Sequence, residues 1–219
     1  MSEYTGKVRV GGPIATHELS HLIISKVAVG PMDNNAYLLR CRATDTQVLI
    51  DAADDPKTLK ALIGDGGLER VITTHRHGDH WQALAAVVAE TDAITVAGKY
   101  DAEGIPVPTD ELVDDGDVIR FGECQVEVIH LVGHTPGSIA LLYDDPTGSF
   151  HIFTGDSLFP GGVGNTQKDP ERFASLIGDV EKKIFNRLPD ETWVYPGHGN
   201  DTTLGTERPH LPAWHARGW

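Results

Sequence analysis

The stretch Thr73-Thr74-His75-Arg76-His77-Gly78-Asp79-His80 constrains this chain more than any other, because three imidazoles and a carboxylate fall within six consecutive positions, directly after the run Arg70-Val71-Ile72. An ordinary loop does not concentrate metal-ligand side chains in this way. Val71 to Thr74 is β-branched and reads as a short buried strand, while Trp81 to Glu90 is rich in helix formers and reads as a helix. The cluster therefore occupies a strand-to-helix loop. Gly78 permits a tight turn there, and the alternate spacing of His75 and His77 can aim two imidazoles into one cavity. Asp79 and His80, at the helix entry, can be aimed at a neighbouring point. One four-coordinate ion cannot take all four side chains together with others from a distance, so the spacing suggests two metals side by side.

A chain of 219 residues is long enough for one substantial domain with a well-buried core, and neither a short-period repeat nor a low-complexity linker divides it. We expect a single domain over residues 1–219, with residues 1–20 a loose N-terminal arm, since that stretch is polar and carries Gly11-Gly12-Pro13. His17 and His21 within it are expected to face solvent. The formal net charge of -14 disfavours nucleic acid as a partner, because no excess of Lys and Arg exists to displace counterions. Cys41 and Cys124 form no disulfide framework and sit in no redox or metal motif, so they read as small buried hydrophobes. Residues 1–12 contain no apolar core of a signal peptide, and no later run is long enough to cross a bilayer. The expectation is a cytoplasmic enzyme acting on a small molecule, with no membrane partner; composition does not set its oligomeric state.

Further strands are expected at Leu22 to Val29, Ala36 to Cys41 and Val48 to Ile50, with Gly30 to Asn35 as the turn between the first two and Asn34 and Asn35 as turn formers. A helix should begin at Asp55-Pro56 and stop at the glycines after Ile63. Strands follow at Ala93 to Ala97, Val118 to Phe121, Gln125 to His130, Ser138 to Tyr143 and Ser149 to Phe153, then helix and strand again between Pro170 and Val194. Asp101 to Pro108 reads as a loop, and Glu207 to His215 as a tail packed on the body through Trp214 and Trp219. This order implies an α/β protein with mixed sheets and helices outside.

Three later points place a polar residue directly after a buried strand: His134 in Gly133-His134-Thr135-Pro136-Gly137-Ser138, Asp156 in Thr154-Gly155-Asp156, and His198 in Pro196-Gly197-His198-Gly199. Strand-end loops hold functional groups on a rigid scaffold. With the first cluster they complete a set in which His75, His77 and His134 would hold one ion, Asp79, His80 and His198 a second, and Asp156 would bridge them.

The order H-x-H-x-D-H, then Gly-His-Thr-Pro-Gly-Ser, Thr-Gly-Asp and Pro-Gly-His-Gly, resembles the metallo-β-lactamase fold superfamily in its glyoxalase II-like branch, over roughly Leu22 to Thr203. That resemblance implies an αββα sandwich of two mixed β-sheets with helices on the outer faces, and a dinuclear site at the strand-end loops. It also implies a metal-dependent hydrolase, thioesterase-like, of the hydroxyacylglutathione hydrolase kind. The cofactors expected are two divalent ions, zinc first, with iron and manganese also suited to imidazole and carboxylate donors. A metal-bridging hydroxide would attack the thioester, with Asp79 accepting its hydrogen bond as the catalytic carboxylate. No G-x-S-x-G element lies near these loops, which favours attack by water over a covalent intermediate.

The pattern departs from true glyoxalase II after Asp156, where Asn165 and Gln167 stand about where Lys or Arg and Tyr would be expected, and the chain ends at Trp219 without room for the added helical domain. A small thiol other than glutathione is therefore expected, with Asn165, Thr166 and Lys168 lining the mouth. Phe159 fits either core or pocket wall. The alternative reading is a mononuclear iron persulfide dioxygenase using His75, His134 and Asp156; ester or lactone hydrolysis is a lesser one.

Overall fold

Most strands of this chain are buried on both faces, which is why they read as near-continuous apolar runs. The computed structural model describes residues 4–218. A seven-stranded sheet runs in chain order through β1 (Ala15–Glu18), β2 (Leu22–Val29), β3 (Asn34–Cys41), β4 (Gln47–Ile50), β5 (Arg70–Thr73), β6 (Ile94–Gly98) and β7 (Glu111–Val113). It is antiparallel from β1 to β4 and parallel from β4 to β7. The second sheet contains β8 (Val118–Phe121), β9 (Cys124–His130), β10 (Ile139–Asp144), β11 (Phe150–Gly155), β14 (Trp193–Pro196) and β15 (Thr202–Thr203). Its spatial order is β15-β14-β11-β10-β9-β8, with only the β11–β14 pair parallel. A small hairpin pairs β12 (Leu158–Phe159) with β13 (Gly162–Val163).

Side-chain alternation sorts the apolar residues into three layers. Ile24, Leu39, Ile50 and Ile72 meet Phe121, Val128, Leu141 and Phe153 between the sheets. On the outer face of the first sheet, Leu38, Leu49 and Val71 receive α1 (Pro56–Ile63) and α2 (Leu84–Thr91) through Leu59, Leu62, Leu84 and Val87. On the outer face of the second, Ala140, Leu142 and Ile152 receive α3 (Pro170–Val180), the π-helical turn Glu181–Phe185 and the C-terminal helices α4 (Leu204–Glu207) and α5 (Leu211–Arg217). Helix, sheet, sheet, helix is the expected αββα sandwich. Each fully buried aliphatic side chain contributes about 1.5–3 kcal/mol to holding these layers together.

Capping fixes where the helices enter. Asp55 accepts the Thr58 amide at the start of α1, with Pro56 at its first position, and Asp169 does the same for Glu171 and Arg172 before Pro170. Cys41 and Cys124 are free and buried in the layer between the sheets. No helix among the described residues is long and apolar enough to cross a membrane.

Several expectations need correcting. The helix expected from Trp81 starts at Leu84, because Gly78–His80 forms a 3-10 turn and the Trp81 indole donates to the Arg76 carbonyl at 2.9 Å. Ala15–Glu18 is an edge strand on β2 rather than loose arm; its short polar sequence carries little strand propensity, and pairing supplies the order. His17 does not face solvent: it stacks on Tyr4 at 4.5 Å between ring centroids, and its Nδ1 lies 2.8 Å from the Tyr195 hydroxyl. His21 is exposed. The tail is helical, with Trp214 buried against the outer layer; Trp219 lies outside the described residues.

A buried ion pair ties the N-terminal segment to the loop that follows β14. Lys26 Nζ, wholly buried, donates to Asp201 at 2.6 Å, to the Gly6 carbonyl at 2.9 Å and to the Gly199 carbonyl at 2.8 Å. Tyr4 and Trp193 donate to the other Asp201 oxygen. Burial pulls the lysine pKa down, against the opposing pull of Asp201. Replacing Lys26 by Met strands a buried carboxylate, and equilibrium denaturation should show a loss of about 3–5 kcal/mol.

Candidate metal centre

The site grows from the carboxyl end of β4. Asp51 there adopts a left-handed backbone (φ 57°), and its amide donates to the Ile72 carbonyl at 2.9 Å, so its side chain turns towards the loop after β5. One Asp51 oxygen accepts the Thr74 amide and the other the Thr74 hydroxyl, both at 2.8 Å. The second oxygen also lies 2.8 Å from His80 Nδ1. A carboxylate at that nitrogen requires it to carry a hydrogen, which turns His80 Nε2 inward as the atom able to ligate.

The other imidazoles follow the same logic. With its own hydrogen committed to Asp51, the Thr74 hydroxyl can only accept from His75 Nδ1, 3.1 Å away. His134 Nδ1 donates to the Asn165 carbonyl at 2.9 Å and His198 Nδ1 to the Met32 carbonyl at 2.9 Å. Each ring is thus held from behind, and its Nε2 points into the cluster. His77 presents Nδ1, 3.1 Å from His75 Nε2 and 2.9 Å from His134 Nε2. A single hydrogen on His77 could serve only one of these neighbours; a cation serves all three.

Beside this group, His80 Nε2 lies 3.3 Å from His198 Nε2 and 3.5 Å from Asp79 Oδ2, and His198 Nε2 lies 3.3 Å from the same Asp79 oxygen. Asp156 stands between the groups. One of its oxygens is 3.6 Å from His134 Nε2 and 3.4 Å from His198 Nε2; the other is 3.3 Å from His80 Nε2, buried, and accepts no hydrogen bond among the described residues. A buried carboxylate oxygen without a donor is costly unless a cation sits against it. Three ligand sets, each with its donor atoms within 4.8 Å of one another, result: His75, His77 and His134; His75, His80 and Asp156; Asp79, His80 and His198. The His and Asp cluster is able to bind metal ions.

Charge balance agrees. Burial holds His75, His77 and His134 below the usual imidazole range, so they are neutral and their lone pairs are available. Burial alone would also lower His198, but Asp156 and Asp79 outweigh it and push it up to about 10. The carboxylates thus draw protons onto histidines where no stronger cation competes. Asp79 is held well below the ordinary carboxylate range, chiefly by His198.

Backbone packing makes this density possible. A Cβ at Gly197 would lie 2.3 Å from Asp156 Oδ1 and 2.8 Å from His80, so only glycine lets the His198 loop approach. Asn35 ties that loop to the β2–β3 turn, donating from its amide to the Gly197 carbonyl and from its side chain to those of Pro196 and Gly199. Asn34, buried, donates to Asp79 Oδ2 at 2.9 Å. These asparagines are therefore more than the turn formers expected. Asp101 clasps the two histidine loops by accepting from the Arg76 and Gly137 amides and the Thr135 hydroxyl, and Arg172 on α3 donates to the Gly133 and His134 carbonyls.

All seven residues singled out as ligands converge here. Of the three expected to line the mouth, Asn165 holds His134 through its carbonyl and accepts the Gln167 amide with its side chain, the Thr166 hydroxyl is buried without a partner among the described residues, and Lys168 is exposed. Gln167 lines the adjoining cleft instead. Phe159 is half-buried, its ring 6.3 Å from that of His198. Among the residues missed, Asp51 carried the same signal as the later ligands, a carboxylate directly after a buried strand. Asn34, Asp101 and Arg172 carried none, since their partners are remote in sequence.

The profile described as Metallo-beta-lactamase superfamily matches residues 29–198. The chain belongs to that superfamily. A hydroxyacylglutathione hydrolase of Polaromonas sp. is 35% identical over 180 residues, covering 81% of this chain and 66% of that one, so the chain spans a little under two thirds of that relative. Among solved structures, ETHE1 from Myxococcus xanthus is 30% identical with a TM-score of 0.74, covering 88% of this chain and 84% of that one. TTHA1623 in a di-iron-bound form is 34% identical with a TM-score of 0.69, covering 84% and 96%.

Removing the carboxylate that orients His80, by Asp51→Ala, should weaken metal affinity about 10- to 100-fold in competition with a chromogenic chelator.

Proposed function

We propose that this protein is a dinuclear metal-dependent hydrolase that cleaves a thioester of a small thiol. The observation that carries the reading is the Asp156 carboxylate, set between two histidine groups with one buried oxygen that lacks a donor among the described residues. The 35% identical hydroxyacylglutathione hydrolase supports the thioester, and the di-iron form of the 34% identical neighbour supports two ions. His75, His77 and His134 would hold one ion, Asp79, His80 and His198 the second, with Asp156 shared. The mixed donor set suits zinc, which we take as the resident metal, with iron and manganese as competing outcomes.

The chemistry that two ions held by these residues would supply is a water acidified towards neutral pKa and a polarised substrate carbonyl. The chain does the rest. Asn34 fixes Asp79 so that its free lone pairs can accept a hydrogen bond from the attacking water and orient it. The Thr135 hydroxyl donates to Asp101 and bonds that of Ser138, so neither offers a free nucleophile. The departing thiolate needs little help from an acid, since a thiol pKa of about 8.5 makes it a good leaving group. Gln167, rather than a tyrosine, on the cleft wall favours a thiol other than glutathione.

The alternative, a mononuclear iron dioxygenase on His75, His134 and Asp156, is disfavoured by the second set built from Asp79, His80 and His198. Elemental analysis beside thiol release from a thioester and oxygen uptake on a persulfide separates the two. Two ions per chain with thiol release are expected, and Asp79→Ala should fall to one ion with hydrolysis lowered at least about 100-fold. One iron per chain with oxygen uptake would overturn the proposal.

A further inference from the structure

Arg76 stands between two of the proposed ligands, yet nothing in the centre uses its charge. Its backbone is pinned on both sides: the amide donates to Asp101 at 3.1 Å and the carbonyl accepts the Trp81 indole at 2.9 Å. The side chain is laid over Gly104, where a Cβ would come within 2.8 Å of Arg76 Cδ. From there the half-exposed guanidinium borders a cleft of about 560 Å³ lined also by His77, His134, Gln167, Glu171 and Arg172. That volume is in the range of small-molecule sites, and two of the three grouped histidines, His77 and His134, stand on its wall.

The guanidinium has spare capacity. Its contact with Asp101 is Nε to Oδ1 at 3.8 Å, too long for a hydrogen bond, and Asp101 is already satisfied by two backbone amides and the Thr135 hydroxyl. The terminal nitrogens donate to no described residue. Arg172, also lining the cleft, donates to the Gly133 and His134 carbonyls but keeps its charge there. Two cations therefore face one exposed carboxylate, Glu171, in a chain whose formal net charge is -14. An arginine fork with free N–H groups on a fixed backbone is suited to bidentate binding of a carboxylate.

We infer that the cleft is an anion-recognising subsite, in which Arg76 binds a carboxylate carried on one arm of the substrate while the thioester lies at the histidines. Arg76 is then the residue that sets substrate class, an acidic thioester rather than a neutral or cationic one. This rests on the hydrolase reading, and the test separates the two.

The metal-loaded protein would be assayed on acetyl thioesters of 3-mercaptopropionate and of its amide, which place the charge on the thiol arm, and on succinyl and succinamyl thioesters of one neutral thiol, which place it on the acyl arm. One acid is expected to be preferred over its amide by roughly tenfold to a hundredfold in kcat/KM, mainly through KM. Arg76→Gln should bring that ratio to about one, Arg76→Lys should recover part of it, and Arg76→Glu should turn it in favour of the amide. Because each ratio is taken within one protein, a variant that merely misfolds loses both rates together. No preference in the wild type, or an unchanged acid-to-amide ratio in an Arg76→Gln protein that keeps the wild-type metal content and circular dichroism spectrum, would overturn the subsite. Calorimetric binding of the corresponding S-methyl thioether acids and amides covers the case in which no thioester is cleaved: an acid preference that Arg76→Gln removes keeps the subsite and rejects the hydrolase, while equal binding rejects the subsite as well.

Discussion

The centre depends on the Asp51 carboxylate, which accepts from the Thr74 amide, the Thr74 hydroxyl and His80 Nδ1 at once. It joins the ends of two neighbouring parallel strands, fixes the tautomer of His80 directly, and fixes that of His75 through Thr74. A buried carboxylate with three donors is both stable and directional, so the lone pairs it orients do not wander. His134 and His198 use backbone carbonyls for the same purpose, and those carbonyls come from loops that the two sheets bring to one edge.

That edge is a product of layering. The αββα sandwich fills the space between the sheets with aliphatic and aromatic side chains and leaves the strand ends to carry polar groups. Loops after β4, β5, β11 and β14, together with the β2–β3 turn and the loop after β9, meet there. The crowding requires small residues at contact points, Gly197 above all, and remote anchors such as Asn35 and the Lys26–Asp201 pair that keep the His198 loop in place. A site assembled this way is rigid on the side of the ligands and open on the side of the cleft, which is where a substrate can vary without disturbing the chemistry.

Much of this was legible in advance because ligands with a short local spacing announce themselves. His75, His77, Asp79 and His80 lie within one loop, and His134, Asp156 and His198 each follow a strand of buried residues. The substrate side was less legible. Beside Asn165, Thr166 and Lys168, a local turn engages the Asn165 side chain, and consecutive left-handed residues at Gln167 and Lys168 turn the segment so that Gln167 reaches the cleft. Backbone conformation of that kind leaves no trace in residue type when neither position is glycine. The strand at Ala15–Glu18 was missed for a related reason: its order comes from pairing with β2, not from its own composition.

The sequence by itself determined which His and Asp side chains could serve as ligands, the αββα class through resemblance, and the net negative charge, since these rest on residue type and short-range order. Only the tertiary structure decided which nitrogen of each histidine faces inward, that Asp156 sits between two groups, and that Asn34, Asp51 and Asp101 hold the ligands. These are contacts between positions 23 to 45 residues apart or more, and such contacts exist only once the sheets have brought their strand ends together.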